Sequence, residues 1–116
     1  MDLLQGFTEP ELRRLLGNSL PATASPFFAD AAREFRSFLC TTSAAYADLR
    51  SRWVALRDES IAAAAAALAA SIGARLGLSA EVVAPVVISL LLSAVRLGCR
   101  TLCRHLERGN VVSALH

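Results

Sequence analysis

The chain has 116 residues, 54% of them apolar and 19% charged, with a formal net charge of +2. That length suits one domain with a real core, and that composition excludes intrinsic disorder of the chain as a whole. All 12 cationic residues are Arg. Each positive charge is therefore a planar fork suited to carboxylate or phosphate, although so small a net charge implies no general polyanion-binding character.

With 22 Ala and 19 Leu, helix is favoured over strand. The expected fold is all-α: a single domain over residues 1–116, built as a small antiparallel helical bundle. The first helix is expected at about residues 9–16. Thr8 and Glu11 have capping-box spacing, Phe7 and Leu12 suit a hydrophobic staple, Pro10 fits the first turn and Gly17 the end. Residues 17–25 read as a loop, after which Ser25 and Pro26 suit a cap and a first helical position.

Positions then recur at steps of three and four through Phe28, Ala31, Phe35, Phe38, Thr42, Ala45, Leu49, Trp53 and Leu56. This stripe predicts a long helix at about 26–57, on the order of 45 Å by helix rise, whose weakest stretch is 40–43. Asp48 and Arg52 form a favourable i,i+4 pair on its outer face. An Ala-rich helix at about 60–76 follows, either restarting at residues 58–60 or continuing the long one, and Gly77 ends it. The last helix is expected at about 80–108, capped by Ser79 and stopped by Gly109. Pro85 predicts a local kink or a late start, and residues 110–116 a frayed tail.

Residues 60–74 and 82–95 carry no charge. Both runs fall short of the roughly 20 residues a membrane span needs, so they read as buried core helices rather than a membrane hairpin. Residues 82–95 are nevertheless apolar all round, with Val83, Val86 and Leu90 on the arc that arginines occupy further on. A helix of that kind is covered on every side, either by its own domain or by a partner. The favoured reading is a non-enzymatic interaction or scaffold protein, an oligomer or subunit acting through helix–helix contacts. Its apolar candidates are Val83, Val86, Leu90, Phe35, Phe38 and Trp53, the last three packing in the core or forming a seam for a partner helix.

Arg96, Arg100, Arg104 and Arg108 recur every four residues along one face of the last helix. The plain reading is a solvated outer face, with Glu107 on it. The functional one is a stripe for an anionic partner, which makes a nucleic-acid-associated subunit the first alternative. No aromatic residue is interleaved, so base stacking there is not expected. Peripheral membrane association is the second alternative.

Catalysis is not expected. The carboxylate pairs Glu9/Glu11 and Asp58/Glu59 sit at a helix start and a junction, and no nucleophile elbow or phosphate loop is present. Cys99, Cys103 and His105 form C-x3-C-x-H, too few ligands on one face for zinc, so neither metal nor cofactor is expected. Three cysteines argue against a disulfide framework, and Cys99 and Cys103 read as small buried apolar thiols. With no basic segment leading into an apolar run near the start, a reducing, cytoplasmic setting is the expectation.

Overall fold

The computed structural model describes residues 3–17 and 25–107, and these form an all-α bundle without strands. Its helices are α1 (Glu9–Leu16), α2 (Phe28–Cys40), α3 (Ala47–Glu59), α4 (Ile61–Leu76), α5 (Ala80–Leu97) and α6 (Cys99–Glu107), with a 3-10 turn at Ala44–Tyr46. The expected 17–25 loop, apart from its two end residues, and the expected 110–116 tail lie outside the described residues.

The single long helix over 26–57 is not formed. A rod on the order of 45 Å does not fit a bundle measuring 31 × 30 × 29 Å. The chain breaks at Thr41-Thr42-Ser43, where hydroxyl side chains compete with the helical ladder. Thr41 Oγ1 donates to the Ser37 carbonyl at 2.7 Å and accepts from the Ser43 N–H at 3.1 Å, and Ser43 Oγ accepts from the Ala45 N–H.

Arg50 then folds back to close the break. Its guanidinium donates to the carbonyls of Ser37 at 2.6 Å, Phe38 at 3.0 Å and Ser43 at 2.8 Å. Carbonyls left open at a helix C-terminus need such partners, so one side chain pins the end of α2 to the start of α3. The expected Asp48–Arg52 pair forms at 3.2 Å on the exposed side of α3.

The caps are of two kinds. Ser60 and Ser79 behave as N-caps, accepting from Ala63 N–H at 2.9 Å and Val82 N–H at 3.4 Å, and the chain restarts at Ser60 instead of continuing. Gly77 ends α4 in the left-handed conformation at φ 72°, with the Leu78 N–H donating back to Gly73 O at 2.8 Å. That return presses on Gly73, where an added Cβ would lie 2.6 Å from the Leu78 carbonyl oxygen. By contrast, Thr8 makes no side-chain cap and Glu11 pairs with Arg14 instead, so the capping box does not close. Ser25 accepts the Phe28 N–H through its carbonyl in a turn, and α2 starts two residues after Pro26.

α5 begins at Ala80 and runs through Pro85, so the late start is not seen. Pro85 falls in the second turn, where it removes only one ladder bond. α5 is the central helix, packing on α1, α2, α4 and α6. That position covers most of its large apolar residues: Val83, Val86, Val87, Leu90 and Leu91 are all 0–1% exposed, whereas Val82 at its start is 49% exposed. α4 lies closest along it, because alanines at 64, 65 and 69 leave room for near approach.

The expected 80–108 helix divides at Gly98, whose φ of 88° with ψ 146° belongs to a region that only glycine adopts readily. Gly98 N–H closes α5 on the Ala94 carbonyl at 2.8 Å, and the chain turns into α6.

Candidate functional site

All six apolar candidates are interior residues of this chain. Val83, Val86, Leu90, Phe35, Phe38 and Trp53 are 0–1% exposed, so none offers a surface to a partner in the folded monomer. Trp53 is the centre of an aromatic cluster, stacked parallel to Phe7 at 5.8 Å and tilted against Phe38 at 4.8 Å, while Phe38 meets Tyr46 edge-on. The indole N–H donates to the Leu3 carbonyl, which ties the N-terminal turn to α3. Tyr46 donates to Glu34 at 2.7 Å, and Arg75 reaches the same carboxylate oxygen at 2.7 Å. Burial first, then the Glu34 bond, pushes the Tyr46 phenol well above its ordinary pKa.

The arginine stripe divides at Gly98. Arg96 lies in the last turn of α5, Arg100 and Arg104 lie on α6, and Arg108 is outside the described residues. α6 is strongly two-faced: Leu102 and Leu106 are buried, whereas Arg100, Thr101 and Arg104 are exposed.

Arg96 approaches Glu9 of α1 at 3.7 Å, and Arg13 holds the same Glu9 oxygen at 2.6 Å. The Arg13 hydrogen bond, with Arg96 adding attraction, keeps the Glu9 carboxyl below its usual pKa. That contribution is complete above the ordinary carboxylate range and fades as pH falls through the lowered value. Arg100 and Arg104 make no ion pair among the described residues. Glu9 therefore holds Arg13 and Arg96, while Arg100 and Arg104 lie beyond the Gly98 turn on α6.

The cysteine reading is corrected. Cys40 and Cys103 form a disulfide between the end of α2 and the middle of α6, and Cys99 stays outside it. An odd count excludes only complete pairing. A Cys103 sulfur in a disulfide is not a thiolate ligand, and no group of three or more His, Cys, Asp or Glu suited to a metal occurs among the described residues. His105 Nδ1 is buried with no hydrogen-bond partner among them.

The carboxylate pairs do not converge. Glu9 and Glu11 are engaged by arginines of their own helix, and Asp58 borders a shallow groove with Arg57, Val54 and Ile61. α5 is long and apolar enough to cross a membrane by length and composition, with a mean hydropathy of 1.9. Central core helices share that property. Sequence reasoning missed Arg50 and the Cys40–Cys103 pair. No protein family, curated protein or solved structure matches this chain.

Proposed function

We propose that this chain is a non-enzymatic nucleic-acid-binding module that contacts phosphates through the arginine face at the end of α5 and along α6. The observation carrying this reading is the pair of exposed arginines on α6. Arg100 and Arg104 lie one turn apart on the outer face of that helix, with no ion pair among the described side chains. Residues four apart on a helix are separated by about 6 Å of rise, so the two guanidiniums can engage neighbouring phosphates of one strand, each as a bidentate fork. Without an aromatic residue on that face, contact is to the backbone and independent of base sequence.

The helix–helix scaffold reading loses its named surface, because its six apolar residues are in the core. Val54, Val82 and Leu97, the exposed large apolar residues among those described, lie on α3 and at the two ends of α5, and apolar residues exposed singly need no partner to explain them.

The test is binding of a fluorescein-labelled DNA duplex by anisotropy, over a series of salt concentrations starting low. Affinity should fall linearly in log–log form as salt rises. Arg100→Ala with Arg104→Ala should lower affinity on every sequence and reduce the slope by about 2, near 0.9 per phosphate contact. Binding and slope left unchanged by the double substitution would defeat the proposal.

A further inference from the structure

We propose that the Cys40–Cys103 disulfide is a redox latch on α6: a dithiol reductant opens it and releases the arginine-bearing helix from α2. Its consequence for binding rests on the function proposed above, but the latch itself does not.

Four observations converge on it. α6 has nine residues, fewer than the 12 or so at which an isolated helix becomes even marginally stable in water. The chain passes into it from α5 through Gly98, held at a positive φ. Its buried non-covalent anchors are two side chains, Leu102 and Leu106. Its covalent tie runs from Cys103 to Cys40, and both cysteines are only partly buried.

The two ends of the bond are held unequally. Cys40 sits on the last turn of α2, which Arg50 fixes through three carbonyls, so opening the bond moves α6 and leaves α2 in place. In the step itself, one thiolate of the dithiol attacks a sulfur of the pair and the other cysteine leaves as a thiolate. The second thiolate of the reductant then attacks the mixed disulfide. The reductant ends as a cyclic disulfide, and Cys40 and Cys103 each end as a thiol after taking up two electrons and two protons in all.

Hydrogen exchange of the full chain, read by mass spectrometry with and without dithiothreitol, tests this directly. At short labelling times, reduction should speed exchange of the amides of residues 102–107 at least 100-fold while those of 83–94 stay protected, and reoxidation should restore the slow rates. Cys99→Ser should respond in the same way, because Cys99 is outside the bond. Unchanged exchange at 102–107 would overturn the latch, as would loss of protection at 83–94 in step with it, or loss of the response in Cys99→Ser. Because no nucleic acid is present, failure here is distinct from failure of the binding proposal.

Discussion

Replacing Trp53 by alanine should lower the free energy of unfolding by about 3–5 kcal/mol, the range for removing a large aromatic from a core. Trp53 is fully buried between Phe7 and Phe38, and its indole N–H satisfies the Leu3 carbonyl. Alanine leaves a cavity among rings that approach from the N-terminal turn and α2, and it leaves that carbonyl without its donor. The N-terminal turn should loosen first, because Phe7 loses its stacking partner. Urea denaturation followed by far-UV circular dichroism measures the change. A loss under about 1 kcal/mol would mean that Trp53 is not the centre of the aromatic core.

The second large effect is expected from Cys40→Ser with Cys103→Ser. The bond links positions 63 residues apart. Chain-entropy arguments give a crosslink of that span about 4 kcal/mol, by restricting the unfolded ensemble. Small domains have total stabilities of roughly 5–15 kcal/mol, so the variant should remain folded but melt at markedly lower denaturant. The oxidised wild type and the variant should differ by this amount, and the wild type in dithiothreitol should fall to the level of the variant. A midpoint shared by oxidised wild type and variant would show that the crosslink does not constrain the chain.

The helical class, the Ser79 cap and the Gly77 stop were legible from residue type and spacing, whereas the restart at Ser60 stood open against a continuous helix. Apolar periodicity names the residues that face the interior but not whether the backbone between them stays helical. Phe35 and Phe38 on α2 and Leu49 and Trp53 on α3 face the same core from two helices, so the stripe runs on across a break made by the hydroxyls of residues 41–43. Gly98 was hidden in the same way, lying between an apolar segment and an amphipathic one whose apolar residues stay in phase. The all-round apolar stretch at 82–95 was located correctly, but a sequence does not distinguish cover by neighbouring helices from cover by a second chain. Arg50 and the Cys40–Cys103 bond depend on how α2, α3 and α6 come together, and no local signal reports that. Of the arginine stripe, the residue type and one-turn spacing were legible, whereas the turn at Gly98 and the Glu9 contact of Arg96 were not.

We propose a chain that completes its own core and offers Arg100 and Arg104 to an anionic partner. Native mass determination at micromolar protein, with and without a short DNA duplex at low salt, tests both halves together. The expected result is a single species of 12.3 kDa alone and a protein–duplex complex when DNA is added, the complex being lost in the Arg100→Ala, Arg104→Ala variant. A stable dimer or larger assembly without DNA, together with no complex in its presence, would contradict the account.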